Sequence, residues 1–243
     1  MNIRKEVNME IYKIADLNIG VKNHSDFTKF YMKDYKVSDT QPDFVVEVTD
    51  EMIAYEKTVA LEETPEKYYE ITAVLRDICK KIVSDFDGFF LHCSCLMYKG
   101  EAYIFTAKSG TGKSTHTRLW REVLGEQVVM INDDKPIVRM IDGTFYIYGT
   151  PWNGKHGISN NIKAPIKAVY YLHQAKENKV ERCDIISSLT KLLSQTVLPD
   201  SKAVMNNLLD MLEKMLGKTP VFDLYCNISH DAVHTVLDSI KEI

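Results

Sequence analysis

A glycine-rich segment that follows a short apolar stretch has the residue types and spacing of a phosphate-binding loop. The segment spans residues 107–115, AKSGTGKST, with alanine where the pattern has its first glycine. Glycines let the backbone wrap a polyphosphate closely, so that successive N–H groups point at its oxygens. We therefore predict that this phosphate loop binds a nucleoside triphosphate through Ser109, Gly110, Thr111, Gly112, Lys113, Ser114 and Thr115.

Two residues at the end of the loop supply a charge and a metal ligand. Lys113 is expected to contact the β- and γ-phosphates, and the Ser114 hydroxyl is placed to bind Mg²⁺ at the start of a helix. Residues 101–106, EAYIFT, predict a strand before the loop, and residues 114–124 predict a helix that Gly125 ends. These surroundings favour a nucleotide site over an ordinary glycine turn.

A pair of carboxylates ends the next apolar segment. Residues 128–131 predict a strand that leads into Asn132, Asp133 and Asp134. We expect this strand to neighbour the loop strand, because only one helix separates them. Since adjacent strand residues point to opposite faces, one carboxylate is expected to meet Mg²⁺ or its water shell and the other to accept a proton from an incoming hydroxyl. A solvated Asp-Asp turn is the alternative.

Residues 149–157 predict an irregular loop, because three glycines and a proline fall within them. The loop carries Trp152, Lys155 and His156. Lys155 is the preferred functional candidate, for docking an acceptor or for stabilising a transferring phosphoryl group. In the alternative interpretation the loop is structural and Trp152 packs into the core.

The composition predicts a globular cytoplasmic protein without a polyanionic partner. The chain has 243 residues, 45% of them hydrophobic, and a net charge of −4. It lacks a lysine/arginine run, a signal peptide and an apolar run of membrane-spanning length, so neither nucleic acid nor a membrane is expected as a partner. The five cysteines, an odd number, are expected to be reduced, and Cys93 and Cys95 are expected to be buried thiols. The oligomeric state stays open, a homo-oligomer included.

The hydrophobic pattern divides the chain near residue 85. Residues 1–85 predict a small α+β region packed on the catalytic part, with antiparallel strands in 9–23 and 43–49, a turn at 40–42 and a helix from Pro65 to residue 82. Residues 86–243 predict the nucleotide-binding domain. Within it, a strand at 89–97 and the turn at Lys99-Gly100 form a hairpin before the loop, which predicts an α/β fold of partly α+β character with a mixed, partly antiparallel sheet. Further helices are predicted at 185–194, 202–216 and 230–240, and strands at 166–172 and 221–226.

Three motifs together resemble the catalytic domain of HPr kinase/phosphorylase and, more closely, its shorter HPr-kinase-like bacterial relatives. They are His92-x-Ser94, the loop at 108–114 and the strand end Asn132-Asp133-Asp134, and the similarity spans about residues 86–175. The resemblance implies a fold related to ATP-dependent phosphoenolpyruvate carboxykinase, with ATP, Mg²⁺ and phosphoryl transfer to a serine of a protein or peptide. It implies Asp133 as the base, Asp134 as a helper near the metal or a histidine, and His92 as a hydrogen-bonding partner at the phosphate site.

The chain also departs from that family. Thr115 stands where the family carries glutamate, and residues 148–157 replace its glycine-rich substrate segment. Two other functions stay open: a binding module that nucleotide gates without transfer, and a carboxykinase-like enzyme for a small carboxylate. The second calls for several converging arginines, and only Arg118, Arg121 and Arg139 flank the motifs.

Overall fold

The structure is a computed structural model that describes residues 9–60 and 63–241. The chain forms two compact units, Met1–Lys81 and Ile82–Ile243. Within the described residues, no helix combines the length and the apolar character needed to cross a membrane.

The first unit contains a small four-stranded sheet and helices. Its elements are β1 (Met9–Ile14), β2 (Leu17–Lys22), α1 (Asp26–Met32), β3 (Lys36–Val37), β4 (Phe44–Glu47), α2 (Asp50–Val59) and most of α3 (Glu66–Asp85). The sheet order is β3-β1-β2-β4. The hairpin between β1 and β2 turns at Ala15 and Asp16, which both have positive φ, as a tight hairpin turn requires.

One strand direction in this unit corrects the prediction. The strand predicted at 43–49 forms as β4, but it pairs with β2 in parallel. The pattern did not predict α1, which Ser25 caps by accepting from the Thr28 N–H, and this helix lies between β2 and β4. Because the chain crosses over through α1 and β3, it returns in the direction of β2. The helix predicted from Pro65 is confirmed as α3.

The second unit contains the remaining elements. They are β5 (Gly88–Phe90), β6 (Cys93–Tyr98), β7 (Glu101–Thr106), α4 (Lys113–Leu124), β8 (Val128–Asn132), β9 (Ile137–Ile141), β10 (Thr144–Tyr148), β11 (Lys163–Gln174), β12 (Lys179–Arg182), α5 (Ile185–Leu193), α6 (Lys202–Leu216), β13 (Val221–Cys226) and α7 (Asp231–Ile240). The predicted helices and strands after residue 165 are confirmed within a few residues of these bounds.

The sheet of the second unit is mixed. Its strands follow the order β5-β9-β10-β11-β7-β6-β8, and β13 pairs with both β11 and β12. β11 runs parallel to β7 and to β13, whereas β6 runs antiparallel to β7 and β8. The predicted α/β fold with a mixed, partly antiparallel sheet is therefore confirmed, and so is the hairpin that precedes the phosphate loop.

The single strand predicted at 89–97 is wrong, because the chain changes partners at Leu91 and His92. β5 pairs with β9, whereas β6 lies between β7 and β8. At the break, the Leu91 N–H donates to Pro136 O and the His92 N–H donates to Gln195 O. These bonds lead the backbone from one part of the sheet to another, which no local periodicity reports.

Strand order decides which chain ends meet at the site. β8 is not adjacent to β7 as predicted, since β6 lies between them. Because β6 is antiparallel to both, the carboxyl ends of β7 and β8 and the amino end of β6 share one edge of the sheet. The carboxyl ends of β11 and β13 lie at the same edge. The phosphate loop, the Asp133-Asp134 pair and Ser94 therefore converge there.

Both faces of this sheet are covered, and the strand residues alternate between two apolar clusters. Ala102 and Ile104 of β7 face the cluster that includes residues of α6, whereas Tyr103 and Phe105 face the cluster that includes α4 and α7. Trp120 of α4 is fully buried among these aromatic rings. Burial of a large apolar side chain contributes roughly 1.5–3 kcal/mol, so it fixes the helix that begins at the phosphate loop.

Candidate functional site

The phosphate loop has the backbone conformation that its glycines predict. Gly110 has a φ of +79° and Gly112, which caps α4, has a φ of +118°. A Cβ at either position would meet no protein atom within 4 Å. These glycines are therefore required by the left-handed backbone, and the space above them is open to a ligand. The first N–H groups of α4 lack intrahelical partners and lie at this opening, which suits a phosphate.

Lys113 lies beneath the loop with its charge directed at the same region. Its side chain is buried, and Nζ donates to Ala107 O over 2.9 Å. Burial lowers the pKa of Lys113, and the opposing electrostatic effects of Cys93, Asp134 and Asp133 reduce that shift. Within the described part of the chain, Lys113 forms no ion pair, so its charge is available to a phosphate.

Asp133 is held by a chain of buried hydroxyl groups. Ser94 Oγ donates to Asp133 Oδ1 over 2.6 Å, and Ser94 Oγ lies 2.9 Å from Thr117 Oγ1. Thr117 lies one turn after Lys113 on α4. The three side chains are all less than 10% exposed. The chain of hydroxyls thus fixes the carboxylate against the helix that starts at the loop, and Oδ2 has no hydrogen-bond partner among the described residues.

Asn132 builds the turn that carries both carboxylates. Its Oδ1 accepts from the backbone N–H groups of Asp134 and Lys135, each over 2.8 Å. Its Nδ2 donates to Thr150 O over 3.0 Å. One buried amide side chain thus makes hydrogen bonds to the backbone of the turn and of the loop at 149–157. These bonds fix the two segments relative to each other.

Asp134 points to a different set of partners from Asp133. His92 Nε2 lies 3.3 Å from Asp134 Oδ1, and Lys135 Nζ lies 2.7 Å from Oδ2. Burial raises the pKa of Asp134, but the hydrogen bonds and charges of His92 and Lys135 outweigh it, so the pKa falls below its usual value. The two carboxylates differ in environment, as the sequence predicts. Both oxygens of Asp134 already have partners, His92 and Lys135, so Asp134 is the poorer metal ligand of the pair.

The loop at 149–157 meets this cluster through Gly154, and Lys155 makes no such contact. A Cβ on Gly154 would lie 3.0 Å from Asp134 Cβ. Lys155 and His156 are exposed, and Lys155 has no hydrogen bond or ion pair with any residue that the structure describes. Trp152 is buried, in line with its packing alternative. The cation beside Asp134 is Lys135, its neighbour in the chain, which belongs to none of the predicted motifs.

The oxygen groups at this edge fit a magnesium ion bound together with phosphate. The Ser114 hydroxyl and Asp133 Oδ2 have no hydrogen-bond partners among the described residues, and both are hard oxygen ligands. No group of three or more histidine, cysteine or acidic side chains suited to a metal occurs in residues 9–60 and 63–241. Mg²⁺ at a nucleotide site needs only one or two protein ligands, because phosphate oxygens and water supply the others.

Four positioning residues received no role in the sequence analysis: Ser94, Thr117, Asn132 and Thr150. A usable signal exists for two of them. Ser94 is the polar residue between Cys93 and Cys95 in an otherwise apolar strand, and alternation places it on the face opposite these buried thiols. Thr117 follows Lys113 by four residues and so shares its side of the helix.

Comparisons with known proteins leave the family of the chain open. No family model matches it, and no curated protein matches it. Among solved structures, it is similar to the HPr(Ser) kinase/phosphatase from Coxiella burnetii, with 9% sequence identity and a TM-score of 0.36. That match covers 63% of this chain and 96% of the other. A TM-score this low establishes neither family nor function.

Replacing Gly149 with alanine is expected to lower the free energy of unfolding by about 3 kcal/mol or more, through overpacking. A Cβ there would lie 1.8 Å from Asn160 O and 2.7 Å from Ile131 O, both backbone atoms. Urea unfolding measures the change. Gly217→Ala is the matched control, because its Cβ would lie no closer than 3.6 Å to its neighbours, and a change below about 1 kcal/mol is expected. Equal losses in both variants would contradict the close approach at Gly149.

The lowered pKa of Asp134 predicts an acid-dependent loss of stability. A carboxylate with a lowered folded-state pKa contributes its full stability above the unfolded value of 3.8 and loses it as the pH falls through the lower folded value. Below pH 4, the wild type should therefore lose unfolding free energy more steeply than Asp134→Asn. Urea titrations between pH 2.5 and 6 measure how steeply the unfolding free energy changes with pH. Asp210→Asn, at an exposed site on α6, is the control for removal of one carboxylate. Parallel slopes for wild type and Asp134→Asn would contradict the ion-pair geometry.

Proposed function

We propose that this chain is an ATP- and Mg²⁺-dependent phosphotransferase that transfers the γ-phosphoryl group to a hydroxyl, with serine of a protein or peptide as the acceptor. One observation carries the proposal: a buried carboxylate, Asp133, is anchored through one oxygen at the same sheet edge as an open phosphate loop and its lysine. Oδ2 of that carboxylate has no hydrogen-bond partner among the described residues and can accept a proton.

The loop and Lys113 position the transferring group. Backbone N–H groups at the start of α4 bind the phosphate oxygens, and Lys113 leaves the carbonyl of Ala107 to meet the β- and γ-phosphates. The Ser114 hydroxyl is the group that would hold Mg²⁺, which supplies neutralising charge to the phosphates when it is bound. Such positioning and charge stabilisation account for most of the catalysis of phosphoryl transfer.

Asp133 activates the acceptor. Ser94 holds Oδ1, so Oδ2 is the oxygen that accepts the proton of the incoming hydroxyl as the acceptor oxygen bonds to the γ-phosphorus. The bond from the γ-phosphorus to the β–γ bridging oxygen breaks, and ADP leaves with that oxygen. His92 and Lys135 contact Asp134 and place two hydrogen-bonding groups beside the reaction. In this scheme Asp134 positions them and does not accept the proton.

The test is transfer of label from γ-labelled ATP. The wild type, Asp133→Asn and Lys113→Ala are incubated with Mg²⁺ and labelled ATP, with and without an extract of the host. We expect a labelled protein or peptide only with the wild type and with the control Asp210→Asn. Bound nucleotide without any transfer would overturn the proposal and favour a nucleotide-gated binding module. Label on a small carboxylate would favour the carboxykinase-like alternative.

A further inference from the structure

A cavity of about 440 Å³ opens beside the phosphate loop, and the catalytic scheme above does not use it. Gly110, Thr111 and Gly112 of the loop line one side, together with Thr115 and His116 of α4. The residues that end β11 and follow β13 line the other side. The volume is in the range of small-molecule sites, and the loop itself forms part of the wall. A ligand with its phosphates on the loop would therefore extend into this cavity.

Much of the remaining wall is aliphatic. Leu119 of α4 and Leu172 of β11 are buried there, and Ile228 lies at the border of the cavity in the segment after β13. Ile228 is 78% exposed. A flat apolar group in the cavity would cover it. Aromatic bases of nucleotides have this shape and surface.

His116 adds a polar group to the wall, and its protonation state follows from its neighbour. Trp120 Nε1 donates to His116 Nε2 over 3.1 Å, and an indole can only donate, so the proton of the neutral ring is on Nδ1. Burial lowers the pKa of His116 to about 3, which keeps the ring neutral. Nδ1 is buried without a hydrogen-bond partner in the described part of the chain. An unpaired buried donor is costly, and a bound ligand with an acceptor would satisfy it.

Gln174 connects the cavity to the loop. Its Nε2 donates to Thr111 O over 3.1 Å, and its side-chain oxygen has no partner among the residues described. The rim therefore offers an acceptor, while His116 offers a donor. This combination matches the mixed donors and acceptors of a base and a ribose.

We propose that this cavity binds the nucleoside part of a nucleoside triphosphate, with the base against Leu119, Leu172 and Ile228. The inference rests on the proposed function for the position of the phosphates, and it adds a site for the base and ribose. Its distinct consequence is that ATP binds more tightly than inorganic tripolyphosphate, because the latter fills the loop and leaves the cavity empty.

The test compares Mg·ATP with Mg·tripolyphosphate by isothermal titration calorimetry. For the wild type we expect ATP to bind about tenfold more tightly than tripolyphosphate, or better. A tenfold gain in affinity corresponds to the burial of a few methylene-sized groups. Ile228→Ser should weaken ATP binding about tenfold and leave tripolyphosphate binding unchanged. Ile186→Ser is the matched control, since Ile186 is also 78% exposed but lies on α5 and does not line the cavity.

A second variant, Ala175→Phe, places a large side chain in the cavity wall and should weaken ATP binding further, again without an effect on tripolyphosphate. Equal affinity of the wild type for ATP and tripolyphosphate would overturn the inference while leaving the phosphate site intact. Equal effects of Ile228→Ser and Ile186→Ser would also overturn it. A wild type that binds neither compound would refute the phosphate loop itself. ATP binding that depends on Ile228 without phosphoryl transfer would refute only the transferase proposal.

Discussion

Replacing Asp133 with asparagine is expected to slow phosphoryl transfer by about 10²–10⁴-fold, which is the usual contribution of a general base. The amide cannot accept the proton of the acceptor hydroxyl. Its oxygen can still accept the Ser94 hydrogen bond, so the surrounding structure is expected to persist. Single-turnover transfer of label from bound ATP measures the chemical step, and calorimetry measures ATP affinity separately. We expect the loss in the rate of transfer and at most a threefold change in ATP affinity, roughly 0.6 kcal/mol.

Two control variants test whether the loss in rate is specific to the Asp133 carboxylate. Asp210→Asn makes the same chemical change at an exposed site and should transfer at the wild-type rate. Ser94→Ala removes the hydroxyl that orients Asp133, and a smaller loss in rate is expected because the carboxylate itself remains. An Asp133→Asn variant that transfers at the wild-type rate would exclude Asp133 as the base. A collapse of ATP affinity that accounts for the whole loss would assign Asp133 to metal or nucleotide binding alone.

Replacing Lys113 with methionine is expected to reduce transfer by about 10²–10³-fold and to weaken binding of both ATP and tripolyphosphate. Lys113 is the buried cation of the loop, and its pKa is lowered by burial, so its charge acts where little water screens it. Methionine keeps most of the apolar stem and removes the charge. Calorimetry with both compounds and the labelled transfer assay provide the measurements.

The effect on tripolyphosphate separates this variant from the cavity variants. Loss of Lys113 should weaken the binding of both ATP and tripolyphosphate, because the lysine contacts the phosphates. Ile228→Ser should weaken only the binding of ATP. Lys214→Met, at an exposed site on α6, is the control for removal of one positive charge. Thermal unfolding of each variant establishes that it is folded, which matters because Lys113 also satisfies Ala107 O. Unchanged tripolyphosphate affinity in folded Lys113→Met would exclude the proposed role of the lysine.

The sequence alone predicts the nucleotide loop and its flanking elements, because these features are contiguous. A strand, a glycine turn and an amphipathic helix each depend on residues a few positions apart, and the structure confirms β7, α4 and the hairpin before them. The same holds for α6 and β13, whose predicted bounds match the observed ones. In each case, the residues that determine the element lie inside it.

The tertiary structure alone decides which distant groups join the loop. The insertion of β6 between β7 and β8 brings Ser94 to Asp133, a residue 39 positions away. The break at Leu91 and His92 depends on backbone partners from remote segments, and Asn132 ties its turn to the distant Thr150. Hydrophobic periodicity reports which face of an element is buried, but it carries no information about which strand lies alongside. That choice is made by long-range pairing and packing, and it places His92 beside Asp134 and leaves Lys155 exposed.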